Sequence, residues 1–427
     1  MSTTPNPSVS AATRLVWRGF VRGSAGAGVA VLARAAGALV LNKLVATLAP
    51  AGGLSLLAQF QNLMALLTTL PNDGVHVGLV KYLAPLTPGS RRYRLWLGAA
   101  TALNAAALVL GLAVLAWQGQ LSGFRLLLWV MGIGLVTLQA MLGAALLAAR
   151  RLKSYVVLAV VLAVAGTGGA ALALLGHWPM ERVLMTYLLA QGLTAVPALA
   201  LAAHAGLLRG WRLAARPSRP ALKALSQFLL MAVSTLLFGK AVDYALRAHL
   251  LAAYGAAHTD LWQTVAKLSD NYTMVFGAVM SSVFYPQLAA LSGQPGQARA
   301  YVRSVVALLA PALALGLGLI FACRGWLLPL LFAPRLAGAA ALLGPQLLGD
   351  WAKFLSWVFI FQLMARAATW RYIAVQAASA VTFAGLLALL LPHYGLAGAV
   401  WAHALRYGLL LLGCGVAHVA GKNKRAT

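Results

Sequence analysis

The sequence predicts an all-α polytopic membrane protein, with twelve transmembrane helices in two six-helix lobes. Three observations carry that expectation. The 427 residues are 62% hydrophobic and only 9% charged, with a mean hydropathy of +0.84, whereas a soluble domain carries about 25% charged residues. Cutting the apolar pattern at charges, Pro and Gly leaves twelve segments, each long enough to supply the roughly 20 residues that cross about 30 Å of hydrocarbon. Lys and Arg also crowd into alternate connections, as the positive-inside rule requires.

The segments run over 25–49, 55–84, 92–117, 122–150, 153–176, 180–206, 222–254, 260–292, 299–322, 344–367, 370–391 and 394–419. Arg14, Arg18 and Arg22 before the first apolar run resemble the start of a secretory leader. Arg34 interrupts that run and no clear cleavage site follows, so an uncleaved first span is expected. With both termini in the cytoplasm, the inner segments hold 21 Lys and Arg, against Arg125, Arg182, Arg324 and Arg335 in the outer loops. The longest inner connection, GLLRGWRLAARPSRPALK from Gly206 to Lys223, falls between six spans and six. The expected organisation is a cytoplasmic tail (1–24), an N-terminal lobe (25–206), a cytoplasmic linker (207–222), a C-terminal lobe (223–419) and a cytoplasmic tail (420–427). Six being even, the halves share one orientation, related by an axis along the membrane normal. Trp96, Trp117, Trp178, Trp211, Trp326 and Trp370 lie near span ends, where an aromatic belt is expected.

Charge narrows the function classes. Five aspartates and Glu181 stand against 33 Lys and Arg, a net +27. Nucleic acid would need a solvated basic domain, and no polar segment is long enough for one. Membrane lipids and an anionic substrate are the expected partners. The eight histidines and the cysteines Cys323 and Cys414 show no metal-ligand spacing. With no phosphate-binding glycine loop, no HExxH and no paired glutamates, neither a metal, a cofactor nor hydrolytic chemistry is expected. A chain of this kind draws its driving force from ion gradients, membrane potential or substrate gradients.

Intramembrane charge is costly and marks pathways. Lys240 and Asp243, Lys267 and Asp270, and Asp350 and Lys353 are each three residues apart, one helical turn, and Arg247 shares the face of the first pair. One reading is that spans seven, eight and ten line a shared aqueous cavity. The other is local neutralisation near the outer interface, with the lysines snorkelling. Arg34 falls close to the centre of its span, where a lipid-facing arginine costs several kcal/mol, so it requires a cavity or a partner. Lys43 and Lys81 fit either a cavity or snorkelling.

Span two contains TTLPNDGVHVG, Thr68 to Gly78. Pro71 removes a helical hydrogen bond and Asn72, Asp73 and Gly74 are turn formers, which predicts a broken helix. Such a break must line water or be buried in protein. Asp73 and His76 therefore become ion-coupling or gating candidates beside Asp270, Asp350 and Asp243, with Asp270 favoured. An ordinary kink with Asp73 capping the second half fits the same residues. Pro197, Pro286 and Pro311 mark lesser bends.

Three stretches carry a resemblance: QFQNLMALLTTLPNDGVHVGLVKYLAP (Gln59 to Pro85), LLAAYGAAHTDLWQTVAKLSDNYTMVF (Leu250 to Phe276) and QLLGDWAKFLSWVF (Gln346 to Phe359). With Arg247, Trp262, Gln263, Asp270, Tyr272, Gln346, Gly349, Asp350 and Lys353 in register, the chain resembles the Wzx lipid-linked oligosaccharide flippases. Within that family it is most similar to those that flip the enterobacterial common antigen repeat. Spacing is similar over essentially the whole chain. The resemblance implies the fold of the multidrug/oligosaccharidyl-lipid/polysaccharide exporters, MATE-like, with a central cavity between the lobes. It implies a secondary transporter, not an enzyme, moving an undecaprenyl-pyrophosphate-linked oligosaccharide between leaflets of a bacterial inner membrane. A polysaccharide polymerase and a chain-length regulator are candidate protein partners. Lys240 and Asp243 depart from the family pattern and are assigned from charge alone. The candidate pyrophosphate-binding residues are Arg34, Lys240, Arg247, Lys267 and Lys353, since a pyrophosphate needs cations. The competing readings are a cation-coupled multidrug exporter of the same fold and a membrane-embedded glycan enzyme. The first wants an acidic or aromatic pocket, and the second a large extramembrane loop with catalytic residues. Neither is evident in the sequence.

Overall fold

The computed structural model describes residues 31–117, 123–209, 218–291, 294–366 and 368–423. The expected N-terminal tail, half of the linker between the lobes (210–217) and the last four residues lie outside them. Helices α1 (Val31–Leu48), α2 (Gly53–Leu83), α3 (Arg91–Trp117), α4 (Gly123–Ala148), α5 (Leu152–Leu175) and α6 (Met180–His204) make the first half. The second half is α7 (219–254), α8 (256–290), α9 (Pro295–Ala322), α10 (Ala340–Ala365), α11 (Thr369–Tyr394) and α12 (Leu396–Asn423). A short helix, Arg324–Leu331, and a 3₁₀ turn, Pro334–Ala339, join α9 to α10.

Among the described residues eleven helices are long and apolar enough to cross a membrane, the longest of them, Arg219–Val279, holding α7 together with most of α8. These two are separated by Gly255 alone, at φ 72° and ψ 165°, a conformation open to glycine and costly for residues with a Cβ. Twelve spans therefore result, as the hydropathy predicts. Trp117, Trp178, Trp326 and Trp370 are exposed, as anchors in an aromatic belt are.

The expected break in span two is absent. Leu70–His76 continues as a π turn, with its flanking residues at ordinary right-handed helical angles. In lipid each freed backbone group needs an internal partner, so the chain widens around Pro71 rather than opening. Similar π turns occur at Leu236–Lys240 in α7 and at Met280–Phe284 in α8, just before Pro286.

The apolar cores follow the two halves, with two exchanges between them. One N-terminal core, around Leu79, Leu97 and Leu142, takes in Ala221 and Leu225 of α7. A core around Val265, Phe332 and Leu343 takes in Ala46 of α1 and Leu54 of α2. Helix α2 is thus the seam, its first half on α8 and its second on α7. Gly74 and Gly78 allow the second contact, because a Cβ at Gly78 would stand 2.8 Å from Leu225 Cδ2 and one at Gly74 3.1 Å from Ala232 Cβ.

Candidate functional site

Polar side chains gather where α8 meets α7, α10 and α12. Asp350 of α10 is 0% exposed, and both its oxygens are saturated. Oδ1 lies 3.0 Å from His403 Nε2 and 3.4 Å from Lys353 Nζ. Oδ2 accepts from Tyr272 at 2.5 Å, Ser269 at 2.7 Å and Gln346 at 3.2 Å. Lys353 also donates to Thr273 Oγ1 at 2.8 Å. A close crossing of α10 and α12 makes this possible, since a Cβ on Gly349 would come within 2.4 Å of His403 Cδ2. A buried charge needs this degree of pairing, or it costs several kcal/mol.

One turn along α8 the environment opens. The Asp270 side chain is 57% exposed and its Oδ2 lies 3.8 Å from the guanidinium of Arg247 on α7. Arg247 also donates from Nε to Gln263 Oε1 at 2.9 Å and lies 5.7 Å from the ring centroid of Trp262. Lys267 and Lys353 are both within electrostatic range of Asp270. Lys267 reaches across the seam and donates to Gln61 Oε1 of α2, whose amide in turn donates to Tyr187 OH of α6 at 3.2 Å. Three cations from three helices therefore surround one exposed carboxylate at the lobe boundary.

No family model matches the chain. The lipid III flippase of Escherichia coli (strain K12) is 26% identical over 400 residues, covering 88% of this chain and 93% of the relative, and the lipid III flippase of Shigella flexneri matches equally. This chain is similar to the lipid III flippases over most of its length. Among solved structures, the chain is similar in fold to the lipid II flippase MurJ in an inward closed conformation, with a TM-score of 0.68 at 10% identity over 92% of this chain and 86% of that one. It is similar also to the Vibrio cholerae MATE transporter VcmN, with a TM-score of 0.67 at 16% identity over 97% and 98%. The expected MATE-like architecture is thus the one the chain adopts.

Of the three lysine–aspartate pairs, only Asp350 and Lys353 close to within 4.0 Å. Lys267 and Asp270 share a face as expected but have other first partners, Gln61 and Arg247. Lys240 and Asp243 form no such pair, and Lys240 lies within electrostatic range of Asp73 on α2 instead. The π turns of α2 and α7 thus bring opposite charges towards each other across the seam. His76 is 6% exposed, with Nε2 3.0 Å from Asn104 Nδ2 of α3. That contact lies within the first lobe.

Arg34 does occupy a cavity. A pocket of about 130 Å³ between α1, α5 and α6 is lined by Arg34, Leu41, Thr167, Tyr187 and Gln191. Its guanidinium reaches Tyr155 OH at 3.5 Å, while Nε is buried without a hydrogen-bond partner. The pocket lies inside the first lobe, and Tyr187 and Gln61 link it to Lys267.

The end of the bundle opposite the arginine-rich connections is zipped shut. Gly52 at the start of α2 has φ 90° and no side chain to cap the helix. Asp260 of α8 caps it from the other lobe, accepting from Gly52 N at 2.9 Å, Ser55 N at 2.8 Å and Ser55 Oγ at 2.6 Å. Lys43 of α1 donates to the carbonyls of Pro329 and Phe332, and Arg335 donates to Ala49 O at 3.3 Å. Lys43 therefore ties the lobes together rather than snorkelling. Sequence reasoning missed Asp260, Gln61, Tyr187 and His403. Asp260 has no lysine one turn away, and the others are neutral or isolated, so the pattern of charges gave them no weight.

Proposed function

We propose that the chain is a flippase that carries an undecaprenyl-pyrophosphate-linked oligosaccharide from the inner to the outer leaflet of a bacterial inner membrane by alternating access. The observation that carries this reading is the set of three cations, Arg247, Lys267 and Lys353, around the exposed Asp270 at the lobe boundary. Lipid does not tolerate an exposed carboxylate at that depth, so Asp270 faces water. The surrounding positive charge suits a pyrophosphate, and its arginine supplies planar, bidentate geometry. The polyprenyl tail stays in lipid while the head crosses. The relatives named lipid III flippases support the same substrate class. A multidrug exporter fits less well, because an organic cation would meet Arg247 and both lysines before reaching Asp270. On this reading both termini are cytoplasmic, the zipped end faces outward, and a polymerase and a chain-length regulator act on the delivered glycan.

Arg247→Gln should abolish delivery of surface glycan, measured in a strain complemented with the variant, while leaving its amount in the membrane unchanged. Arg247→Lys should restore only part of it, since the charge returns without the fork. Arg34→Gln, in its separate pocket, should also lower delivery. Normal glycan in both glutamine variants would remove them from the transport path.

Asp270 is the favoured coupling carboxylate. Its partner is Arg247 rather than Lys267, so protonating Asp270 would free the arginine for the head group. Asp270→Asn should stop gradient-driven transport and spare downhill exchange in proteoliposomes. An ion acting here must bind one state better than the other, because equal affinity shifts nothing. A variant that still answers an imposed gradient as the parent does would reduce Asp270 to a structural partner of Arg247.

A further inference from the structure

We infer that Asp350 and His403 form a proton-binding centre in the second lobe, from which sodium is excluded because Lys353 already occupies the cation's place. The inference rests on the transporter reading above and adds the identity of the ion. A carboxylate ringed by hydroxyl and amide groups is, by its donor set, a fair site for a hard cation, which seeks several oxygens. Here each Asp350 oxygen is turned to N–H and O–H donors: Lys353 and His403 at Oδ1, and Ser269, Tyr272 and Gln346 at Oδ2. A metal ion would have to displace an ammonium tethered three residues away on the same helix.

The group left to change charge is His403. Imidazole is the side chain whose charge ordinarily changes between about pH 5 and 8. Nε2 faces Asp350, so the ring donates there and takes up a proton at Nδ1. The side chain of His403 is 17% exposed against 0% for Asp350, which makes the ring the point of entry. The charged and titratable groups against the ring or on its carboxylate are Asp350 and Lys353 on α10, Tyr272 on α8 and Tyr407 on α12, whose ring centroid lies 4.9 Å from that of His403. Arg406 is engaged by Ser379 Oγ at 2.8 Å and by the rings of Phe383 and Tyr407.

Uptake of a proton sets a second cation on the carboxylate that Lys353 shares. The two repel, and Lys353 is the one on a flexible stem. Its ammonium already donates to Thr273 Oγ1 and lies 5.4 and 5.6 Å from the ring centroids of Phe354 and Trp357, so it has partners to hold it as it leaves Asp350. Proton release from Nδ1 draws it back. The centre thus exchanges one proton for one repositioned ammonium.

The test uses the purified full chain in lipid nanodiscs, with one spin label in each lobe and no substrate. The distance distribution should move with pH between about 5 and 8, changing the ratio of populations about tenfold. Replacing choline chloride by sodium chloride at constant pH should leave it unmoved. His403→Gln should flatten the pH response, and Lys353→Met should introduce a sodium response. Sodium moving the parent's distribution, or His403→Gln titrating as the parent does, would overturn the inference. Should that variant not survive purification, NMR of ¹⁵N-histidine-labelled parent, with the resonance assigned from a His403→Asn sample, reads the same point. A ring that takes no proton in that range overturns the proposal too. A parent that titrates but does not exchange polyprenyl-pyrophosphate-linked sugar between leaflets sinks the function and leaves the proton centre standing, and the converse result does the reverse.

Discussion

Asp260→Ala should unzip the end of the molecule at which α2 begins. Its carboxylate is 1% exposed and accepts three bonds from α2, two of them from backbone amides that have no other cap. Hydrogen bonds to a charged group contribute about 1.5–3 kcal/mol each, and the loss of several leaves buried amides unpaired, so about 3 kcal/mol is a conservative expectation. At 1.4 kcal/mol per decade that is roughly a hundredfold shift towards states open at this end. In a background without Cys323 and Cys414, a cysteine at Ala256 should react with an impermeant maleimide far faster in the Asp260→Ala protein than in the parent. Gradient-driven accumulation should fail in the same protein because the lobes no longer seal. Equal labelling rates and intact accumulation would show that the closure depends on Lys43, Arg335 and apolar packing alone.

Asp350→Ala should be the most destabilising single change in the second lobe. It strands Lys353, 8% exposed, together with the hydroxyls of Ser269 and Tyr272. Removing one partner of a buried ion pair costs about 3–5 kcal/mol, whereas replacing both by apolar groups is often neutral. Thermal unfolding in detergent should therefore show a large loss for Asp350→Ala and substantial recovery for Asp350→Ala with Lys353→Met. A double variant no more stable than the single one would mean that the pair matters less than the hydroxyl bonds around it.

The twelve spans were legible because hydrophobic length is a property of each segment alone. The same holds for the lysine–aspartate spacing on α10, which closes as an ion pair, and for Arg34, whose mid-span position demanded the pocket it occupies. Partners from distant helices were not legible. Lys267 and Gln61 are 206 residues apart, and Ser269 and Asp350 are 81 apart. No local period encodes which of several lysines meets which oxygen, so Lys267 and Asp270 were matched to each other although each has a nearer partner elsewhere. The reading of a broken α2 failed for a different reason. Pro71, Asn72, Asp73 and Gly74 form turns where water can accept the freed backbone groups. Inside a bundle the backbone has to satisfy itself, and a widened helical turn does so.

The cap that Asp260 places on α2 also bears on how the chain is made. Gly52 and Asp260 are separated by 208 residues, so at roughly 5–20 residues per second the ribosome adds the aspartate about 10–40 s after the glycine. Throughout that interval the first amides of α2 have no protein acceptor from α8. The start of α2 must wait for its cap until the eighth helix has been made. The first lobe is therefore born incomplete, and the start of α2 is finished only by the second.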